Sequence, residues 1–160
     1  MIVVDLGCQD YGYQNSLGSL ADTYKPEFIY GFDPSPKLEE GKTTVNGVPA
    51  ILKRKAAWTH YGDVPFHDQI TSSRIMEGAD GRVRCFDFSS WIGRCSDFWD
   101  GEPFVVKMDI EGAEYPVLDK MIADGTDRLV SELVMEWHGP EDRTGDLLNR
   151  LACPVKDWWM

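Results

Sequence analysis

A chain of 160 residues has the size of a single domain and is long enough to bury about two-thirds of its unfolded surface. Apolar residues at 42% and aromatics at 12%, with six Trp, exclude a disordered or low-complexity chain. Sixteen basic residues against twenty-seven acidic ones give a net charge of −11, which argues against a surface built for nucleic acid or an anionic membrane. Residues 1–160 are therefore expected to form one domain. Cys8, Cys85, Cys95 and Cys153 show neither a C-x-x-C pair nor a regular framework, so they are expected to be reduced core thiols in a cytoplasmic protein. The start, Met-Ile-Val-Val-Asp, lacks the basic and apolar regions of a signal peptide, and no apolar run reaches ~18 residues.

Ile2 to Leu6 reads as a short buried strand ended by Gly7. Between Tyr13 and Tyr24, Leu17, Leu20, Ala21 and Tyr24 recur at helical spacing, and Pro26 stops the helix. Phe28 to Phe32 is a second strand, closed by Asp33-Pro34-Ser35-Pro36. Ala50 to Ala57 contains a third, and Asp63 to Asp68 and Arg82 to Phe88 are further extended pieces. Ser89 or Ser90 is the expected N-cap of a helix carrying Trp91, Ile92, Cys95, Phe98 and Trp99. Phe104 to Ile110 is the next strand. A helix from Ala113 to Asp124 follows, with Leu118, Met121 and Ile122 on one face and Gly125 beyond its end. Leu133 to His138 is a strand, and Leu147, Leu148 and Leu151 mark a short helix before Pro154. Strands alternating with helices predict an α/β architecture around a mostly parallel sheet.

In such sheets ligands bind past the carboxyl ends of the strands, where strand order reverses. Four of the five exits carry acid: Asp5-Leu6-Gly7-Cys8-Gln9, Asp33, Asp109-Ile110-Glu111-Gly112 and Glu136-Trp137-His138; the fifth is Ala57-Trp58. Gly7 allows a sharp turn with space for a ligand, and Asp33 stands where a ribose diol would be gripped. The reading that competes with this is a turn glycine and a solvated aspartate. G-x-G-x-x-G is absent, and Asp10 would repel a pyrophosphate. Gly41-Lys42-Thr43 is no P-loop, because Pro36 occupies the required glycine position and Thr44 to Pro49 cannot continue as a helix. A cofactor with a ribose, no phosphates and an ammonium fits best, namely S-adenosyl-L-methionine.

The run Val105-Val106-Lys107-Met108-Asp109-Ile110-Glu111-Gly112-Ala113-Glu114, with Val117-Leu118, resembles the signature of the FkbM-type S-adenosylmethionine-dependent methyltransferases. Val4-Asp5-Leu6-Gly7-Cys8 is similar to that family's first cofactor motif, and Ile29-Tyr30-Gly31-Phe32-Asp33-Pro34 to its second. Ala56-Ala57-Trp58, Ser72-Ser73, Phe86-Asp87 and Met135 to His138 follow in the family's order, so the resemblance spans roughly residues 3 to 138. It implies a Rossmann-like class I methyltransferase fold, a mostly parallel sheet with helices on both faces, and methylation of a hydroxyl on a small molecule or sugar. It also implies that Asp5, Gly7, Cys8 and Gln9 line the methionine end, that Asp33, followed by Pro34, takes the ribose hydroxyls, and that Ala57 and Trp58 lie near adenine. Two departures stand out: Tyr11 replaces a second glycine, with Gly12 one step late, and the few residues after the fifth strand imply shortened C-terminal strands.

Methyl transfer is an in-line displacement helped by positioning and by deprotonation of the acceptor. Alternation places Lys107 with Asp109, and Glu136 with His138, on common strand faces. With a reference pKa near ~6.5, His138 is the candidate general base, its competing reading being a surface histidine before Gly139-Pro140. Lys107 reads first as a structural ion-pair partner of Glu111 or Glu136 and second as a catalytic group. No metal centre is assigned, although Asp109, Glu136 and His138 form an acceptable mixed N/O set. His60, His67 and Asp68 read as loop residues, and Trp91 and Trp99 as core. Two other classes remain open: a methyltransferase-fold binding module without catalysis, favoured by Tyr11, and an NAD-dependent oxidoreductase, opposed by the missing glycines.

Overall fold

The computed structural model describes residues 1–8, 16–67 and 73–158. Gln9, Asp10, Tyr11, Gly12, the start of the expected helix at 13–15, Asp68 and Ser72 lie outside the described residues. The elements run β1 (Ile2–Leu6), α1 (Ser16–Tyr24), β2 (Phe28–Phe32), β3 (Gly41–Val45), β4 (Val48–Lys53), β5 (Ala56–Trp58), β6 (Gly62–His67), β7 (Arg74–Ile75) and β8 (Gly81–Asp87). Then come α2 (Phe88–Phe98), β9 (Phe104–Met108), α3 (Glu114–Asp124), a 3₁₀ turn (Thr126–Leu129), β10 (Val130–Met135), α4 (Glu141–Arg150) and β11 (Val155–Asp157).

The protein is α/β, with a main sheet ordered β11-β10-β9-β1-β2-β4-β3 in which only β3 runs antiparallel to its neighbour. The chain builds outward from β1 to β2 and β4, then returns to the other side of β1 with β9, β10 and β11. Strand order therefore reverses at β1, the position beyond whose carboxyl end open α/β sheets generally take their ligands. All five residues of β1 and of β9 are buried, as central parallel strands demand. Ile2, Val4, Leu6, Val106 and Met108 join the core under α2 and α3, and Val3 and Val105 join the core under α1. Helices thus cover both faces.

A second sheet, β5-β8-β6-β7, pairs β5 parallel with β8 and is otherwise antiparallel. Its Ala57 and Phe86 enter the same core as Phe32, whose ring centroid lies 4.5 Å from that of Phe86. Trp91 packs edge-on to Tyr30 and Phe32, and Trp99 donates from its indole Nε1 to the Tyr30 hydroxyl at 3.2 Å. Both tryptophans are half-buried and pack against the core. The four cysteines are buried and unpaired.

Several boundaries differ from those expected. The single extended stretch from Ala50 to Ala57 is two strands in two sheets, broken at Arg54-Lys55. Residues 41–53 form a hairpin closed by Asn46 and Gly47, both at positive φ (47° and 85°), as a tight two-residue hairpin turn requires. The N-cap of α2 is Asp87, which accepts from the Ser90 amide at 2.9 Å; Ser89 instead donates to Asp124. The strand expected over Leu133 to His138 is Val130–Met135, so Glu136 and His138 lie past its end. After it comes one three-residue strand, β11. No described helix is long and apolar enough to cross a membrane.

Candidate functional site at the carboxyl edge of the main sheet

Asp5 and Lys107 are direct partners in the parallel register of β1 and β9 and lie on the α1 face. Both are buried, at 0% and 1% exposure. The Lys107 ammonium donates to the Gly7 carbonyl at 3.0 Å and to Asp109 Oδ2 at 3.1 Å, and stands 3.4 Å from Asp5 Oδ1. The Trp158 ring covers it, with Nζ 5.7 Å from the ring centroid. Asp5 Oδ2 accepts from Ser16 Oγ at 2.6 Å, whereas Oδ1 has charge contact with Lys107 but no hydrogen bond among the described residues. Burial drives the Lys107 pKa down, and the charges of Asp5 and Asp109 outweigh it and hold the ammonium above its ordinary value. Burial pushes the Asp5 carboxyl up, with Lys107 and Ser16 opposing.

Asp5, expected beside the cofactor, thus faces the interior and satisfies Lys107. Lys107, expected as a catalytic group or a partner of Glu111 or Glu136, bonds Asp109 and the Gly7 carbonyl instead. It ties the exits of β1 and β9 together. The absent side chain of Gly7 serves the same junction, because a Cβ there would lie 1.8 Å from the Asp109 carbonyl oxygen. At φ 84° the residue also sits where side chains are disfavoured. The space read as room for a ligand is occupied by the backbone of Asp109. Cys8 is buried, and burial together with the nearby Asp5 and Asp33 charges raises its thiol pKa well above normal.

A second group lies beyond β9 and β10. The Glu114 carboxylate, 0% exposed, accepts from the amides of Ile110 (2.8 Å) and Gly112 (2.7 Å), fixing the loop that carries Asp109 and Glu111. It also meets His138 Nδ1 at 3.0 Å. The other nitrogen, Nε2, lies 3.6 Å from Glu136 Oε1 and 3.8 Å from Asp109 Oδ1 and Glu111 Oε2. Tyr115 supports this segment: its ring lies 5.9 Å from that of Trp137, and a Cβ on Gly139 would come within 2.4 Å of it. The hydrogen bond to Glu114, opposed by burial and aided by the other carboxylates, lifts the His138 pKa to about 9. Burial raises the Glu111 carboxyl as well, with His138 opposing. His138 is therefore a cation at neutral pH, not the neutral base that its ordinary value suggests.

The structure accordingly brings Lys107, Asp109, Glu136 and His138 to one edge and adds Glu111, Glu114, Ser16 and Trp158. Donor atoms of Asp109, Glu111 and His138 lie within 4.8 Å of one another, a set able to take a divalent cation in place of the imidazolium proton. Asp33 lies one strand away: the amides of Gly7 and Cys8 both point at the Phe32 carbonyl (2.8 and 3.3 Å). Asp33 Oδ1 accepts from the Ser35 amide at 2.7 Å across Pro34. Ala57 is buried and Trp58 half-buried in the second sheet. No known protein family matches the chain, and comparison with curated proteins and with solved structures finds no match either.

Proposed function

We propose that the protein is an S-adenosylmethionine-dependent methyltransferase acting on a hydroxyl of a small molecule or sugar, on a Rossmann-like class I fold. The observation that carries this reading is the reversal of strand order at β1, with the Gly7 turn, Asp33, the Asp109–Glu114 loop and His138 all at the carboxyl edge beside it. In this reading Asp33 holds the nucleoside through the ribose hydroxyls, and the closed Gly7–Cys8 turn fixes the neighbouring strand exit. The acidic edge welcomes the positive charge of the cofactor. Because His138 is cationic at neutral pH, the proton of the acceptor hydroxyl passes to Asp109 or Glu136, and His138 orients those carboxylates.

Calorimetry with S-adenosylhomocysteine tests the proposal. Saturable binding is expected, and the absence of heat at millimolar ligand, with the protein shown folded, overturns the cofactor assignment. Replacing Asp33 with Ala should weaken binding by about 1–3 kcal/mol, the cost of a lost charged acceptor. An unchanged affinity would remove the ribose role. Once an acceptor is known, turnover that falls as His138 loses its proton near pH 9 supports the carboxylates oriented by the imidazolium. A rate rising with a midpoint near 9 would return the base to His138.

A further inference from the structure

An open groove of about 550 Å³ lies where the two sheets meet, and its lining includes Pro34, Glu40, Arg54, Lys55, Arg82 and Arg84. Its charge runs against that of the molecule. In a chain of net charge −11, four of the sixteen basic side chains line this groove, and among the described lining residues Glu40 is the one acid. Glu40 is already engaged, accepting from the Arg54 amide at 2.9 Å and from its Nε at 3.2 Å. Arg82 donates to the Asp63 carbonyl at 3.0 Å, which orients its guanidinium without neutralising it. Lys55 and Arg84 have no ion-pair partner among the described residues.

The backbone forces this crowding. Arg82 and Arg84 alternate onto one face of β8, while Arg54 and Lys55 form the crossing from β4 to β5. Like charges so placed repel one another, and an anion between them relieves the repulsion and supplies charge-assisted hydrogen bonds. The groove also lies beside the candidate site. Pro34 follows Asp33 directly, and the Asp33 amide donates to the Lys53 carbonyl at 3.2 Å, joining the exits of β2 and β4.

We propose that this groove binds a small-molecule oxyanion, a phosphate, sulfate or carboxylate group, carried by the methyl acceptor. The assignment of that anion to the acceptor rests on the proposed function; the anion site does not. The test is an NMR titration of the ¹⁵N-labelled protein with sodium phosphate, sulfate and acetate in turn, at constant ionic strength. Saturable shifts are expected at the amides of Lys55, Val83 and Arg84 with at least one of the three, and the anion that saturates at lowest concentration identifies the group. The K55Q/R84Q variant should weaken that binding about tenfold or more, with R84Q alone as the fallback if the double variant unfolds. Shifts equal to those from sodium chloride, or unchanged in a folded variant, overturn the site. Saturation by a short single-stranded oligonucleotide but by none of the small anions overturns it in favour of a nucleic-acid surface. S-adenosylhomocysteine is titrated into the same samples. An anion response without nucleoside binding sinks the cofactor reading and leaves the groove; the reverse sinks the groove alone.

Discussion

Lys107 and His138 are two cations set among carboxylates on neighbouring strand exits, and they differ mainly in burial. Lys107 is 1% exposed and binds two carboxylates and a carbonyl; His138 is 24% exposed and faces four carboxylates. In both, surrounding negative charge overcomes the tendency of burial to discharge the group. The lesson is that one kind of charge balance, a cation held by carboxylates, yields different work at different burial. Sealed from water, the Lys107 ammonium and the Asp5 carboxylate lie out of reach of a ligand, so this pair serves the architecture. Half-open, the His138 cluster can exchange its proton and meet a ligand.

The largest test of this contrast is Lys107→Met. It strands the Asp5 carboxylate in the interior and should destabilise the protein by ~3–5 kcal/mol in urea unfolding, with Asp5→Asn in the same chain restoring much of the loss. If Lys107→Met costs less than a surface substitution, the bridge does not hold the strand exits. Next is Gly7→Ala, which combines a left-handed backbone with a clash against the Asp109 carbonyl and should cost about 2–5 kcal/mol by the same measurement.

The third test uses pH. The folded-state pKa of His138 is raised to about 9, above its unfolded value near ~6.5, so its stabilising effect is complete below about 6.5 and is lost as pH climbs through 9. Between pH 6 and 9.5 the protein should lose on the order of 1–3 kcal/mol that a His138→Gln variant does not lose, measured in chelator-containing buffer. Equal losses in both proteins would place the histidine in an ordinary solvated environment. The smallest effect is that of Glu136→Gln: one half-exposed carboxylate removed at 3.6 Å should lower the NMR titration midpoint of His138 by less than about one pH unit.

The central strands were legible because strands buried on both faces are continuous apolar runs, as in Ile2–Leu6 and Phe104–Met108. The edges were less so. Val130-Ser131-Glu132 breaks the apolar run of β10, which shifts the apparent strand toward Glu136 and His138. The hairpin of β3 and β4 had a readable signal in Asn46-Gly47, flanked by Thr44-Val45 and Val48. At the site, the exits carrying Asp109 and His138 were approached through the alternation of strands and helices along the chain. The pairing of Asp5 with Lys107 was not legible in this way, because it depends on the register between strands far apart in sequence. Nor was the role of Glu114, whose main partners are backbone amides that a sequence does not label.

The register of β1 with β9 also sets a timetable. Ile2 pairs with Phe104, so during synthesis the first strand waits for about 100 further residues before its second neighbour exists. At ~5–20 residues per second that wait lasts roughly 5–20 s. In that interval β1 can pair with β2, but its other edge lacks a partner and Asp5 lacks its cation. An edge of this kind invites pairing with another chain. A buried acid at such a position weakens premature association there, because its charge repels a second copy of itself until Lys107 arrives.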